Sequence, residues 1–582
     1  MLNIKSSNIK LKSTTIFLHL FFIILSFISL FIFAHKGLVY NANDLKFHTD
    51  RINGIYQALK EHNSLLSFPS FKSFQNVGGM FQSFYPMITI IPFALLRFII
   101  PNAAIALYIG LGIYTYIGFF TAYKAMLLFT KKNVAQSAYF AIIYNFSIYH
   151  MTDLFIRFDL GEWIALMFFP LAMYGFFNLL FEDGKYYYLG ALSLTIIAYS
   201  HILSLVFICT VLLFFCFICL FKHLFTKEKI VKLIKMCGIF LLQTVFVFYP
   251  IINYSINNQI HFPKKFNLMH SPDGKLASLG SYIVASLNNH LSKTLGIIFL
   301  VIFILGIILW KKMPQIQRFS FGAMLLITIC TTAFFPWFLF QKTPIAIIQF
   351  PWRLLGLAGV FMALVAAWIV DDLTKSYLNF ANHKQANFRI GFILLLLVLP
   401  SISAELYTFY HKSHTYKVIK TTNQNVGSTK YAVSLDEYGK FFSQKKHSSK
   451  STDYYTKLAY KHKKSIKKRI IIAQDGTRTK LPQTSYQNNI LSFSYYSKKK
   501  QTIDLPIIYY KGHQYSLKIN GVSTKISESK RGTLKISVTK GLNKIQITNQ
   551  KSLFLDFLAV LALFTWILTL ISYLKRKKSI YN

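Results

Sequence analysis

The sequence predicts an α-helical polytopic membrane protein of about 12–14 transmembrane helices, with a small β-rich domain outside the membrane before the last helix. Apolar runs of about 17–25 residues, the length that crosses a ~30 Å hydrocarbon core, recur along the 582 residues. Only 14% of the residues are charged, against roughly 25% in a soluble globular protein. The stretch 406–552 is instead polar and lysine-rich, and its second half alternates apolar and polar residues as strands do.

Thirteen apolar segments are predicted to span the membrane. They cover residues 15–34, 85–100, 103–129, 134–149, 162–181, 187–200, 201–221, 232–252, 293–310, 317–339, 354–370, 388–405 and 553–574. Because Lys and Arg in short loops stay on the cytoplasmic side, the basic N-terminus, the loops at 222–235 and 311–318 and the tail at 575–578 predict two cytoplasmic termini. Two cytoplasmic termini require an even number of crossings. Either 85–100 is re-entrant, or a segment between 103 and 221 is divided wrongly.

The predicted outer domain is strongly basic. Residues 406–550 carry 28 Lys or Arg against 6 Asp or Glu. Outside a membrane, such a surface favours anionic lipids or cell-wall polymers as partners rather than nucleic acid. Asn520-Gly521 is a strong type I′ turn signal between two alternating runs, and the pattern recurs around Gly541. We therefore expect a β-sandwich-like domain outside the membrane, tethered by spans on both sides.

The first predicted outer loop contains the stretch DLKFHTDRI, with five ionisable groups in nine residues. If 44–60 is a helix, Asp44, His48 and Arg51 share one stripe, at i, i+4 and i+7. Such a stripe agrees with the reacting end of an enzyme. However, Asn43 or Asp44 would equally cap a helix that lies on the membrane surface. The spacing alone leaves both interpretations open.

A second group of ionisable residues lies in the motif IRFDLGEW, between two apolar segments. Arg157, Asp159 and Glu162 at the mouth of predicted spans indicate that these residues face a cavity or pair with one another. The alternative is an Arg–Glu pair that simply finishes a helix end. His201 interrupts a long apolar stretch, where a lone histidine is either functional or satisfied by an interhelical hydrogen bond.

A third motif, IQFPWRLL, combines Gln349 with an arginine at the start of a span. Arg353 either snorkels to the membrane surface or holds a lipid-linked phosphate through its planar fork. The motif SFYPM places Tyr85 at a helix start or in the wall of the same cavity. No Walker loop, GxGxxG after a strand, HExxH or GxSxG elbow occurs, so nucleotide hydrolysis and zinc proteolysis have no support.

These motifs, in this order and followed by a β domain and a last span, resemble a bacterial membrane family known as "6-pyruvoyl-tetrahydropterin synthase-related". That family is similar to YfhO-type proteins and to the broader GT-C glycosyltransferases. The resemblance covers roughly residues 15–405 and the order of domains after them. It implies a GT-C-like membrane domain at 1–405 with an outer loop at 35–84, an extracytoplasmic basic domain at 406–552, and a final helix with a cytoplasmic tail at 553–582.

The resemblance also implies an activity. A multi-span enzyme of the bacterial cell membrane would transfer a sugar from a polyprenyl-phosphate-linked donor to a surface polymer on the outer face. YfhO-type proteins glycosylate teichoic acids or related wall polymers, but this chain is considerably shorter, so the acceptor is not carried over. Some GT-C enzymes use a divalent cation; this sequence shows no metal site, and no other cofactor is implied.

Site residues follow from the same resemblance. GT-C enzymes carry a catalytic or metal-binding carboxylate in the first outer loop, where Asp44 occupies the matching place and Asp50 is a weaker candidate. His48 and Arg51 would orient that base or bind phosphate, and Glu162 would be a second carboxylate near the donor sugar. The residues expected to bind substrate are Tyr85, Arg157, Asp159, His201, Gln349 and Arg353.

Two other function classes remain open on the sequence. A non-enzymatic transporter or flippase of lipid-linked saccharides would show alternating access and often inverted repeats, and no repeat is apparent. A membrane scaffold would use its basic outer domain to bind an anionic wall polymer. Binding by that domain does not separate the scaffold from the enzyme, because an enzyme could collect its acceptor in the same way.

Overall fold

The computed structural model describes residues 2–66, 69–271, 274–377, 383–420, 429–444 and 447–578. Part of the predicted outer domain, 421–428, and the end of the predicted tail, 579–582, lie outside these ranges. The chain forms two compact units. Unit 1 comprises Met1–Leu45, Asn102–Cys237 and Lys264–Tyr438, and unit 2 comprises Lys46–Pro101, Gly238–Pro263 and Gly439–Asn582.

Most of the described chain is helical. The α-helices are α1 (Leu2–Ala34), α2 (Leu45–Lys60), α3 (Phe81–Phe84), α4 (Ile91–Ile99), α5 (Ala103–Phe129), α6 (Val134–Asn145), α7 (Ile148–Thr152), α8 (Leu160–Leu166), α9 (Phe169–Phe181), α10 (Tyr187–Ser200), α11 (Ile202–Phe221), α12 (Lys227–Asn257), α13 (Leu279–Asn288), α14 (Ile297–Ile308), α15 (Gln315–Cys330), α16 (Leu355–Tyr377), α17 (His383–Thr415), α18 (Leu435–Ser443), α19 (Lys457–Lys461), α20 (Lys463–Lys467) and α21 (Leu553–Lys578). The predicted helix at 44–60 is confirmed as α2.

Eight helical segments in the described residues are long and apolar enough to cross a membrane. They are Thr14–Ala34, Ala103–Phe129, Leu160–Phe181, Ile202–Phe221, Lys227–Asn257, Pro351–Ser376, Asn387–Thr415 and Leu553–Leu574. Four shorter apolar helices, Ile88–Ile99, Tyr187–Ser200, Ile297–Ile308 and Gln315–Cys330, add to them. The chain is therefore a multi-pass membrane protein with a β-rich region before its final long apolar helix, which confirms the predicted fold class.

The predicted span at 134–149 is interrupted. Helix α6 has 12 residues, which at 1.5 Å per residue covers roughly 18 Å and is too short for the hydrocarbon core. The chain leaves the helix at Phe146, and Ser147 has extended backbone angles before α7 begins. The break matters for the site, because α7 leads into a segment of π-helix at Asp153–Arg157.

Unit 1 is built around the buried helix α16, which packs against α6 and α15. Asn102 starts α5 by accepting hydrogen bonds from the backbone N–H groups of Ala104 and Ile105 (3.0 and 3.1 Å), which would otherwise lack partners. A three-stranded sheet completes the unit, with strands β1 (Leu38–Tyr40), β5 (Tyr431–Ser434) and β4 (Lys417–Val418) in that spatial order. The first loop is thus paired with residues that follow α17.

Unit 2 contains a β-sandwich. The remaining strands are β2 (His270–Ser271) and β3 (Gly274–Lys275), which form a hairpin in unit 1, and β6 (Ile470–Ala473), β7 (Arg478–Lys480), β8 (Ser485–Gln487), β9 (Ile490–Ser497), β10 (Gln501–Ile508), β11 (Tyr515–Ile519), β12 (Val522–Thr524), β13 (Ser527–Glu528), β14 (Thr533–Val538) and β15 (Gly541–Asn549). One sheet has the order β13-β14-β10-β6-β7 and the other β12-β11-β15-β9-β8. Inward side chains of both sheets form one apolar core.

The predicted hairpin at Asn520-Gly521 is confirmed, because β11 and β12 pair antiparallel with Ile519 opposite Val522. Both turn residues have positive φ, 51° and 83°, as a type I′ turn requires. The alternation around Gly541 has a different outcome. Its two strands do not pair with each other: β14 lies in the first sheet and β15 in the second, so this connection crosses the sandwich.

Candidate functional site

Five charged side chains form a buried ion cluster in unit 1, made of Asp153, Arg157, Asp159, Glu162 and Arg353. The guanidinium of Arg157 lies at its centre. Its Nη2 is 3.1 Å from Asp159 Oδ2 and its Nη1 is 3.0 Å from Glu162 Oε2, and Nη1 also donates to Asp153. All five side chains are less than a tenth exposed. The cluster brings two of the sequence motifs, IRFDLGEW and IQFPWRLL, into one place.

Local backbone geometry places the three carboxylates around Arg157. The π-helical turn Asp153–Arg157 sets the first carboxylate beside the arginine, and Phe158 then turns the chain with left-handed angles (φ 57°, ψ 40°). Asp159 precedes α8 and accepts the backbone N–H of Glu162 at 3.2 Å, so it caps the helix. The side chain of Asp159 therefore both caps α8 and takes part in the ion cluster.

Arg353 is the second guanidinium of the cluster. Its Nε lies 3.2 Å from Glu162 Oε2 and its Nη2 lies 3.8 Å from Asp159 Oδ2, so each of those oxygens is shared by two guanidinium groups. Gln349 accepts from Arg353 Nη1 at 3.3 Å and has a positive φ of 62°. Its amide nitrogen donates to the backbone carbonyl of Lys264 at 3.0 Å, which fixes the side chain that receives the arginine.

An aromatic wall closes one side of the cluster. The ring of Trp352 lies 4.6 Å from the guanidinium carbon of Arg157 and 4.9 Å from the ammonium of Lys293, distances typical of cation–π contacts. Tyr149 donates its hydroxyl proton to Glu162 Oε1 at 2.6 Å. The three carboxylates and two arginines carry a formal charge of −1, and the half-buried Lys293 adds a positive charge on the Trp352 ring.

Asp44 docks by its backbone onto the same segment. Its N–H donates to the carbonyl of Arg157 at 2.8 Å, and the N–H of Asn43 donates to the carbonyl of Ile156 at 3.1 Å. Lys412 reinforces this contact from α17: its buried ammonium donates to the carbonyls of Phe155 (2.8 Å) and Asn41 (3.2 Å). One lysine thus holds together the residues before Asp44 and the residues before Arg157.

Three of the predicted site residues, His48, Arg51 and Tyr85, lie in unit 2. Arg51 is fully buried in α2 and donates from Nη2 to the carbonyls of Tyr85 (3.0 Å) and Pro86 (2.5 Å). Its guanidinium also stacks on the Tyr85 ring at 4.0 Å. His48 is buried, with its ring edge-on to Phe47 and Tyr85. The motifs DLKFHTDRI and SFYPM are thereby joined through one arginine.

Asp50 is buried in unit 2 and anchors a distant loop. Its Oδ2 accepts the hydroxyl of Ser448 and the N–H of Ser449, both at 2.6 Å, and the N–H of Phe74 at 3.3 Å. Burial raises the pKa of Asp50 to about 6, despite these hydrogen bonds and the nearby charge of Lys46, which favour the ionised form. The side chain therefore has a clear structural role.

His201 lies at the start of α11 in unit 1. Its Nδ1 is 2.8 Å from the hydroxyl of Ser204 and accepts the Ser204 N–H at 3.3 Å, so the ring caps the helix. The charges of Asp159, Arg353, Glu162 and Arg157 act on the same ring. The hydrogen bonds to Ser204 lie within α11, whereas the sequence alternative was an interhelical bond, and the ring is close to the ion cluster.

Sequence reasoning missed four residues of this region: Tyr149, Asp153, Lys293 and Lys412. A signal existed for Asp153, which precedes Arg157 by four residues, the spacing of an ion pair on a helix. Lys412 is a cation within the apolar segment Asn387–Thr415, where an ionisable residue indicates a polar partner inside the protein. Among the described residues, no group of three or more His, Cys, Asp or Glu is arranged to hold a metal ion.

No family model matches the chain. A 99-residue stretch, 17% of the chain, is 35% identical to the protein "Uncharacterized protein YfhO" of Bacillus subtilis (strain 168). The match spans 11% of the length of that relative. The chain is thus similar to YfhO over a limited segment, in agreement with the YfhO-type part of the resemblance drawn from the motifs.

Proposed function

We propose that this protein is a membrane glycosyltransferase that transfers a sugar from a polyprenyl-phosphate-linked donor to a surface polymer on the outer face of a bacterial cell membrane. The observation that carries the proposal is the docking of Asp44 onto the Arg157 segment of the ion cluster. A buried set of carboxylates and arginines among membrane helices is costly to maintain, which supports a functional role. The basic loops support an orientation with both termini cytoplasmic.

In the proposed reaction Asp44 is the base. Its carboxylate takes the proton from an acceptor hydroxyl as that oxygen attacks the anomeric carbon of the donor sugar. A new bond forms between the anomeric carbon and the acceptor oxygen. The bond from the anomeric carbon to the phosphate oxygen breaks, and its electron pair leaves with the lipid phosphate.

Cations stabilise the leaving phosphate in this scheme. Arg353 and Lys293 are the proposed phosphate contacts, because Arg353 pairs with two carboxylates where Arg157 pairs with three, and Lys293 lies 4.9 Å from the Trp352 ring. Arg157 is held by three carboxylates, so we assign it the role of positioning Asp159 and Glu162. We assign a positioning role in the first loop also to Arg51, whose Nη2 donates to two backbone carbonyls.

An apolar cavity of about 370 Å³ in unit 1 lies toward the predicted cytoplasmic ends of its helices, so we assign it to the far end of the donor's lipid chain. Helices α5, α9, α11, α15 and α16 contribute its walls, with Phe177, Phe215, Phe319 and Phe361 among the lining side chains. Helices α8 and α9 run from the ion cluster to this cavity. A ligand with a phosphate head and a hydrocarbon tail fits these two environments.

The test compares Asp44→Asn with wild type in vesicles that contain a labelled polyprenyl-phosphate sugar and a wall-polymer acceptor. The variant should insert normally and lose transfer by at least 100-fold, whereas Asp44→Glu should retain part of the activity. The neighbouring change Asn43→Ala is the control. Normal transfer by Asp44→Asn would exclude Asp44 as the base, and movement of the donor across the membrane without transfer would favour a flippase.

A further inference from the structure

The exposed face of the sheet β12-β11-β15-β9-β8 carries a distinct set of side chains. Strand register places Lys518, Gln546, Ser492 and Ser485 in one row across four strands. A second row pairs Lys544 with Ser494, and a third pairs the exposed Leu542 with Tyr496. Since neighbouring strands lie about 4.8 Å apart, the first row extends over about 14 Å.

A cleft of about 630 Å³ runs over this face. Six of its ten lining residues carry a hydroxyl or amide group, namely Gln483, Thr484, Ser485, Ser492, Ser494 and Gln546, and Lys544 adds a charge. Hydroxyl and amide groups both donate and accept hydrogen bonds, so they suit a ligand that carries many hydroxyl groups. An apolar protein partner would leave these groups unsatisfied.

The sandwich carries a large excess of positive charge. Residues 470–549, all described, contain thirteen Lys or Arg and three Asp or Glu. The three acidic residues belong to the other sheet or its turn, and each pairs with a cation: Asp475 with Lys499, Asp504 with Arg531 and Glu528 with Lys511. The exposed face therefore presents lysines without an acidic side chain, which attracts an anionic ligand.

We propose that this face binds a linear anionic polymer whose units carry hydroxyl groups. The cation pair Lys518 and Lys544 contacts the anionic groups, and the seryl and amide side chains contact the hydroxyls. Tyr496 offers an exposed ring on which the apolar face of a sugar or polyol stacks. The role of this face as the acceptor-binding surface of the transferase rests on the proposed function. The binding of polymer to the face is measured without transfer.

The experiment measures binding of soluble polymers to the full chain in nanodiscs of neutral phosphatidylcholine. Three probes separate charge from hydroxyl recognition: poly(glycerol phosphate) has both, dextran has hydroxyls without charge, and polyglutamate has charge without hydroxyls. We expect poly(glycerol phosphate) to bind at least tenfold more tightly than either of the others. Its affinity should fall as salt is raised, because exposed charges are screened.

Variants locate the site. The double change Lys518→Gln with Lys544→Gln should weaken poly(glycerol phosphate) binding at least tenfold. The matched control, Lys530→Gln with Lys535→Gln, removes two exposed lysines from the other sheet and should change affinity less than twofold. Ser494→Val, which removes a hydroxyl but no charge, should weaken the same binding.

Three results would overturn the inference. The first is a loss of affinity in the control Lys530→Gln with Lys535→Gln equal to that in the double change on this face. The others are polyglutamate binding as tightly as poly(glycerol phosphate), and binding to phosphatidylglycerol vesicles but to no polymer. The proposed function and this inference are tested by different variants, so one can fail without the other. Asp44→Asn should keep polymer binding whatever its effect on transfer, and Lys518→Gln with Lys544→Gln leaves Asp44 and the ion cluster intact.

Discussion

Removing Arg157 should destabilise the protein through the carboxylates that it leaves behind. At an effective dielectric constant of about 20, each pair at 3.0–3.1 Å has a Coulomb energy of roughly 5 kcal/mol before desolvation is subtracted. The net cost of removing one partner from a buried ion pair is about 3–5 kcal/mol. Arg157→Met also changes the formal charge of the cluster from −1 to −2, so we place its loss of stability at the upper end of that range.

A second change should recover part of this loss. In Arg157→Met with Asp153→Leu, one unpaired carboxylate is replaced by an apolar side chain, and the cluster returns to its original formal charge. Contacting residues in one network commonly show coupling energies of about 0.5–3 kcal/mol. The double variant should therefore be more stable than Arg157→Met alone, although it carries one more substitution.

Thermal unfolding in detergent, followed by size-exclusion chromatography of a fluorescent fusion, measures the order of the midpoints. We expect wild type to unfold at the highest temperature, then the double variant, then Arg157→Met. The exposed Arg318, which donates to the carbonyls of Trp310 and Lys311, provides the control Arg318→Met, for which we expect a small effect. A double variant less stable than Arg157→Met would refute the electrostatic account of the cluster.

Three further predictions concern the residues around the site. Lys412→Met should leave two carbonyls without their donor, which costs about 1–3 kcal/mol of stability. Faster hydrogen exchange at the amides of residues 43 and 44 should report the loosened loop, and unchanged exchange would contradict this prediction. Arg51→Lys should destabilise the protein by a similar amount, because a point charge cannot replace the planar guanidinium that donates to two carbonyls and stacks on Tyr85. The control Tyr85→Phe keeps the carbonyl and the ring, so it should unfold near the wild-type temperature. The pKa of Asp50 is about 6 in the folded protein and 3.8 for an aspartate in an unfolded chain, so the folded state binds this proton more tightly. The free energy of unfolding should therefore fall as pH rises from about 4 to about 6. For Asp50→Asn, the free energy of unfolding should depend less on pH over that range.

Local patterns predicted several elements well. Helix α2 begins within one residue of the predicted start, because polar and apolar residues already follow a helical period there. The Asn520-Gly521 turn was found because few other residue pairs accept two positive φ angles in succession. Period-two alternation around Gly541 could not reveal that β14 and β15 enter different sheets. Alternation specifies which side chains face the core, but it does not identify the neighbouring strand.

The candidate site was predicted in fragments. Arg157, Asp159, Glu162 and Arg353 were each identified, but no distance between motifs almost 200 residues apart can be read from a sequence, and only the packing of helices brings them together. Asp153 was missed although its spacing of four residues before Arg157 was a signal, and the π-helical turn that holds the pair is not visible in a hydrophobic pattern. Whether Asp44 acts as a base or as a helix cap stays a prediction, for which the transfer assay with Asp44→Asn is the measurement.

The three-stranded sheet of unit 1 also has a consequence for biosynthesis. Strand β1 emerges early from the ribosome, yet its partner β5 follows about 400 residues later, since Leu38 pairs with Ser434. At about 5–20 residues per second, that separation corresponds to roughly 20–80 s of translation. During that interval the edge of β1 has no strand to pair with. The loop that carries Asp44 therefore reaches its final anchorage only after nearly all the membrane helices have been made, so a truncated or stalled chain would be inserted but incompletely assembled.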